Sequence, residues 1–553
     1  MNGLQSYNSP FSNYIQRRSF LIRLSLVTAG IFLNGCIQKI KSKKYQISGA
    51  LNGPNATAGH ILRDKIKIPL ATRSKKVNTL IIGAGISGLS AARWLQKHGK
   101  TDFEILELED HAGGNSSFGS NKISSHPLGA HYITISNTDD QLMIDFLQEI
   151  GVITHFENQL PYYNDFYLTF DPEERLLING EWQEGLIPDF GIPESDKDQI
   201  KRFMNEVDKL KHTKGNDGKY VFNIPVNASS TDKSFTKLDQ ISFKNYLKDN
   251  GYNSSYLLWY LNYACKDDYG QSIENISAWA GLHYFASRRG KAANAEDNAV
   301  LTWPEGNGWL MQKMTDNMEK HIVKSTMCYE LKELPDGELE ALIYDIKNKE
   351  SIRIEAENII FATPQYVNKK ILKYINRPYF DYSAFGYTPW LIANIIVDEM
   401  PNSKGVSLCW DNVAYDTPSV GYVNALHQKT ELYQSQKVLT YYLPLCDFEP
   451  DISRIAAYTR TYEQWLDIIM PELNYIHPGI EKAIQQIDLW IWGHGMIIPR
   501  PGLIFGENLA NAKKAIDKKI YFAHTDLSGI SIFEEAFHQG IQVAQEILKN
   551  ENT

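Results

Sequence analysis

The spacing of apolar residues changes several times along this chain, and each change predicts a different element. From Leu80 to Ile82 an unbroken apolar run reads as a buried parallel strand. It breaks at Gly83, Gly85 and Gly88, after which Ile86, Leu89, Ala92 and Leu95 recur at helical spacing. A second apolar strand follows from Phe103 to Glu107. Between 137 and 302 the pattern is mostly helical with long loops, and Ile200 to Leu210 is amphipathic. From Tyr382 to Trp492 the period shortens to that of strands, as in Trp390 to Val397 and Val438 to Leu443.

The turn between the first strand and its helix has the form Gly-x-Gly-x-x-Gly. Gly83 permits the tight turn, Gly85 lets a pyrophosphate approach the backbone, and Gly88 lets helix and strand pack closely. The N–H groups of Ile86 and Ser87, at the positive end of the new helix, face the phosphates. Glu107 ends the second strand nineteen residues after Gly88, close to the spacing at which an acid accepts a ribose hydroxyl. A dinucleotide is the expected ligand.

Three separated stretches then resemble the flavin-containing amine oxidase superfamily. Leu108 to Asn115 is similar to its short loop with a Gly-Gly pair, Gly113-Gly114. Trp303 to Leu310, followed by the strand Ala356 to Pro364, resembles its glycine-rich entry to a central helix and the strand after it. Lys519 to Asp526 and Phe533 to Gly540 resemble its last strand and closing helix. The resemblance implies FAD rather than NAD, with Asp526 facing the ribityl chain. It also implies that the helix start at Glu535 and Ala536 approaches the isoalloxazine, with Asn115, Gly129, Ala130 and His131 among the cofactor contacts. His111 and Asn115 stand where the family has arginine, and Phe-Ala-His-Thr-Asp replaces Phe-Ala-Gly-Glu in the closing strand. No cysteine lies near that strand, so the flavin is expected to be non-covalent.

The implied fold is α/β: a Rossmann-like FAD-binding domain assembled from discontinuous segments, plus an α+β substrate domain with a mixed sheet. The cofactor domain takes 77–136, 303–372 and 493–549, and the substrate domain takes 137–302 and 373–492. The reaction implied is hydride transfer from a substrate C–H, in an amine or polyamine, to flavin N5, with oxygen or another electron acceptor reoxidising the flavin. Two alternatives stay open: a desaturase or oxidase of an apolar, carotenoid- or porphyrinogen-like molecule, and a non-catalytic flavin module.

Trp490, Trp492 and His494 are the catalytic candidates. In a strand the two indoles share a face, and the imidazole follows if the extended run persists. Aromatic walls hold amines well, although core tryptophans on a buried strand explain the same residues. Lys266 to Gly270, with Trp279 and His283 to Arg289, is a second acidic and aromatic group; a solvated turn before an amphipathic helix accounts for it too. Gly386 to Ile392 carries no lysine where many amine oxidases place one.

Gln16 to Leu21 resembles a twin-arginine signal. The apolar stretch Leu24 to Leu33, at 1.5 Å per residue, reaches only about half of the ~30 Å hydrocarbon core. Leu33 to Cys36 is similar to a lipobox with Cys36 as the lipidated residue. The expectation is a bacterial protein delivered by export machinery to the periplasmic side and held by a lipid anchor, with a signal at 1–36 and a polar tether at 37–76.

Composition narrows the partners. A net charge of −9 offers no basic footprint for nucleic acid. Of five cysteines, Cys265, Cys328, Cys409 and Cys446 show neither disulfide nor metal-ligand spacing, so free buried thiols and no metal site are expected.

Overall fold

The structure is a computed structural model describing residues 45–64, 66–335, 337–429 and 435–551. The signal-like stretch and Cys36 lie outside the described residues. Two large sheets carry the chain.

The first has seven strands in the order Ile322–Val323, Phe103–Leu106, Arg73–Ile82, Glu350–Phe361, Leu339–Asp345 and Thr326–Glu333, with Ile520–Phe522 joining beside Glu350–Phe361. Strand Glu350–Phe361 serves two partners on one edge. Its first half pairs antiparallel with Leu339–Asp345, and its last residues pair parallel with Ile520–Phe522. Its other edge runs parallel to Arg73–Ile82. The apolar run at Leu80 to Ile82 is buried on both faces, as a parallel strand between helices must be. Helix Ile86–Lys97 and the closing helix Phe533–Glu551 pack together on this sheet. A Cβ on Gly540 would come within 2.1 Å of the Ser87 carbonyl oxygen, so the two backbones are nearly in contact.

The second sheet has eight strands: Leu51–Asn52, Ile484–Ile497, Tyr387–Val397, Lys437–Pro444, Tyr422–Asn424, Asp411–Ala414, Glu174–Ile178 and Glu181–Glu184. Tyr387–Val397 is buried along its whole length because helices cover both faces. On one side Trp465, Leu466 and Ile469 of helix Tyr462–Ile476 pack against Ile487, Leu489 and Ile491. On the other, helices Glu194–His212, Ser255–Tyr269 and Ala278–Ala286 build a separate core around Trp390 and Ile392.

Three boundaries differ from expectation. The mostly helical stretch 137–302 contributes Glu174–Ile178 and Glu181–Glu184 to the second sheet. The division at 492 falls inside one strand, Ile484–Ile497, because its pleat continues through Gly493 and Gly495. Within the expected tether, residues 45–64 are part of the fold. Leu51 and Asn52 pair in parallel with Leu489 and Trp490, Leu489 N–H donates to Ala50 O at 2.8 Å, and helix Ala56–Asp64 buries Ala58. This strap is held by backbone hydrogen bonds, which polar composition does not reveal. No helix among the described residues is long and apolar enough to cross a membrane.

Candidate functional site

The glycine turn has the geometry that its spacing implies. Gly83 sits at φ +107, where a Cβ would stand 2.7 Å from Ala362 O; a Cβ on Gly88 would stand 2.0 Å from Gly83 O. At Gly85 a Cβ would meet nothing within 4 Å. The chain keeps that space open in front of the first turn of the helix, where Ile86 and Ser87 are buried. The Gly113-Gly114 loop closes over it: Gly113 N–H donates to Ala84 O at 2.9 Å, and a Cβ on Gly114 would lie 3.5 Å from Gly85 Cα. An anion fits between these two loops.

Glu107 is 9% exposed. One carboxylate oxygen accepts from Ala84 N–H at 2.9 Å and the other from Glu109 N–H at 3.0 Å. Burial pushes this carboxyl up, and the two backbone donors oppose the shift. Each oxygen keeps a second lone pair for a further donor.

Asp526 is fully buried. Its Oδ2 accepts from Gln365 N–H at 2.7 Å and from the Tyr387 hydroxyl at 2.5 Å, while Oδ1 accepts no hydrogen bond and lies 3.1 Å from His524 Nδ1. Both amide atoms of the buried Gln365 side chain are also unpaired. Native structures seldom leave buried polar atoms unsatisfied, and this set fits the hydroxyls of a polyhydric chain.

Glu535 is fully buried and pushed up to about 7 by burial; its Oε1 accepts from Val226 N–H at 2.6 Å. It ties the closing helix to the substrate domain. Ala536 packs into the core shared with helix Ile86–Lys97. The helix start expected at Glu535 and Ala536 therefore reaches the cavity through Ser531 to Glu534 instead, because the side chains of the next two residues are turned into the protein.

Between the sheets lies a cavity of about 130 Å³. Asn115, Gly129, Ala130 and His131 all line it, and the Asn115 amide donates to Gly495 O. His131 stacks on Tyr442 with centroids 4.4 Å apart, and burial lowers its pKa to about 4, so the imidazole is neutral at neutral pH. Trp390 and Trp492 form the wall, with Trp492 Nε1 donating to Leu128 O at 2.5 Å. Among the described residues, no lysine and no cysteine line it.

Of the three catalytic candidates, only Trp492 reaches this cavity. Trp490 stands beside it, centroids 5.7 Å apart, without lining the space. His494 stacks on Tyr366 at 4.2 Å and meets the edge of Tyr387 at 5.8 Å, on the Asp526 side. Burial, and then Arg454, push its imidazole down to about 3. All three do point to one face of the strand, but two tyrosines cover that face beyond Trp492.

The second acidic group behaves differently from a solvated turn. Asp267 and Asp268 end helix Ser255–Tyr269 inside the cavity wall. Asp268 holds Arg288 through two hydrogen bonds of 2.8 and 3.0 Å. The Tyr132 hydroxyl donates to Asp267 at 3.3 Å, and burial pushes Asp267 up to about 7. His283 and Trp279 are buried core residues. Sequence reasoning missed Tyr132, Trp390, Tyr442 and Glu534 as lining residues. The Glu534-Glu535 pair at a helix start was the available signal, since two acids buried at one helix N-terminus exceed what capping needs.

Known proteins agree with this geometry. Residues 81–150 match the family described as an NAD(P)-binding Rossmann-like domain. Putrescine oxidase bound to putrescine superposes with a TM-score of 0.60 at 16% identity, covering 86% of this chain and all of that one. Cyclohexylamine oxidase from Brevibacterium oxydans IH-35A gives 0.60 at 13% identity, covering 87% and 100%. The CLA-producing fatty acid isomerase from P. acnes gives 0.56 at 16%, covering 85% and 98%. No curated protein matches by sequence. The fold is the one that putrescine oxidase and cyclohexylamine oxidase share, and the glycine turn lies within the segment that matches the Rossmann-like family.

Proposed function

We propose that this protein is an FAD-dependent oxidoreductase acting on a C–N bond of a small cationic amine or polyamine. The turn from Gly83 to Gly88 with Gly113 and Gly114 would hold the pyrophosphate, Glu107 the ribose, and Asp526 the ribityl chain. When bound, the flavin would supply a hydride acceptor, passing the electrons on to oxygen or another acceptor. With no cysteine in the cavity wall, attachment would be non-covalent.

The observation that carries the amine reading is the make-up of the cavity wall. Trp390, Trp492 and Tyr442 offer aromatic faces, and Asp267, Asp268 and Glu534 outnumber the one cation, Arg288. Aromatic faces and carboxylates both attract an ammonium group, more strongly where water is excluded. Putrescine oxidase and cyclohexylamine oxidase, which share the fold, support it by their substrates' names. The chain's own residues would orient the substrate between indoles and keep water out. Anaerobic spectra with a panel of amines test the reading: an amine that bleaches the bound flavin supports it, and silence from all of them removes it.

An apolar substrate is the second reading. Ile224, Ile392, Met496 and Ile532 line the same cavity, no lysine does, and a fatty acid isomerase shares the fold. Export through a twin-arginine signal, with lipid attachment at Cys36, belongs to the same proposal. It rests on Gln16 to Leu21 and Leu33 to Cys36 alone. Labelled fatty acid incorporated by the natural chain and lost in Cys36→Ala would support it.

A further inference from the structure

Glu534 is the second residue of the closing helix Phe533–Glu551, 8% exposed, and lines the cavity. The other acids of that wall are committed. Asp268 holds Arg288, and Asp267 accepts from Tyr132. The Glu534 carboxylate is backed by its own N–H, and no hydrogen bond to it from another side chain is found among the described residues. Three charged groups face it from other elements: Arg288, Asp268 and Asp140. Arg288 is spent on Asp268, and Asp140 bonds His538 at 2.8 Å and caps helix Gln141–Glu149. An acid at a helix N-terminus gains a modest stabilisation where it is solvated. A buried acid held only by its own backbone N–H still pays a desolvation penalty, and a chain that keeps one in a cavity wall has a use for it.

We propose that Glu534 is the proton acceptor of the oxidation. Breaking a substrate C–H bond sends the hydride, with both electrons, to the flavin. A cationic amine must first give up an N–H proton, which frees the lone pair that forms the C=N bond as the hydride leaves. The Glu534 carboxylate takes that proton and becomes a carboxylic acid, so the substrate loses one hydride and one proton in all. This step rests on the FAD reading and extends it, and it holds equally where the neighbouring atom is carbon. Burial, only partly relieved by the helix N–H and Arg288, pushes Glu534 up to about 7, where one group both takes and releases protons at neutral pH.

The test compares the FAD-loaded natural chain with Glu534→Gln and Glu534→Asp. An infrared difference titration from pH 5 to pH 9 should show a carboxyl band that disappears near neutral pH and is missing in Glu534→Gln. Stopped-flow reduction, with whichever compound bleaches the flavin, should slow by about 100-fold in Glu534→Gln. Its rise with pH should vanish, the rate at saturating substrate should fall by more than binding weakens, and Glu534→Asp should recover part of the rate. A Glu534→Gln enzyme that reduces at the natural rate with the pH limb intact overturns the proposal, as does a difference titration that the substitution leaves unchanged, since Asp267 and Glu535 titrate in the same range and keep their own bands. If amines fail and an apolar compound bleaches the flavin, the amine reading falls and Glu534 is judged on that compound. If nothing bleaches it, the infrared band alone decides.

Discussion

The Tyr387 hydroxyl donates to Asp526 at 2.5 Å, joining the central strand of the substrate sheet to the last segment of the nucleotide half. One carboxylate thus touches both segments, and its other oxygen, beside His524, accepts no hydrogen bond. Tyr387→Phe should lower FAD affinity by about tenfold, since a hydrogen bond to a charged group contributes about 1.5 kcal/mol or more. Flavin fluorescence released on dilution measures it. Unchanged retention would mean that Gln365 N–H suffices to hold Asp526 in place.

Gly85 and Gly88 separate binding from folding. Gly85 sits at φ −75 with empty space at its Cβ. Gly85→Ala should therefore fold with an unchanged melting temperature and emerge without flavin colour. Gly88→Ala must displace the Gly83 carbonyl and should destabilise the apo-protein by about 1–3 kcal/mol. Equal melting losses in both variants would contradict the assignment of the space at Gly85.

Trp492 and Trp490 should differ although they share a strand face. Trp492→Phe removes an indole from the cavity wall together with its bond to Leu128 O. The KM of the bleaching substrate should rise severalfold. Trp490→Phe should leave KM within twofold. Reversed effects would move the substrate to the far side of the wall.

Glu535 gives a stability test with a definite sign. Its folded pKa, about 7, lies above the unfolded value near 4.5. The folded state therefore holds a proton that the unfolded chain releases, and the resulting stability is complete below pH 4.5 and lost as pH rises through 7. Glu535→Gln cannot ionise, so the apo-variant should gain on the natural chain as pH rises from 5 to 8, by up to about 3 kcal/mol. Parallel denaturation midpoints across that range would show that Glu535 is not protonated in the fold.

Local pattern made the nucleotide half legible. The apolar run before Gly83 became strand Arg73–Ile82, the spacing of Ile86 to Leu95 became helix Ile86–Lys97, and Glu107 bonds the turn itself. Those features depend on neighbours within about thirty residues. The strap at 45–64 was invisible because backbone groups pair it with residues more than four hundred positions away. Alternation placed Trp490, Trp492 and His494 on one face correctly. Only the fold could reveal that Tyr366 and Tyr387 take that face from His494. Asp267 read as a solvated turn because charge alone does not distinguish water from a cavity.

The strand Ile520–Phe522 and the closing helix complete a sheet begun at Arg73. A ribosome must therefore deliver nearly the whole chain before this sheet is complete. A chain truncated before position 520 should emerge colourless however well its first strands have formed.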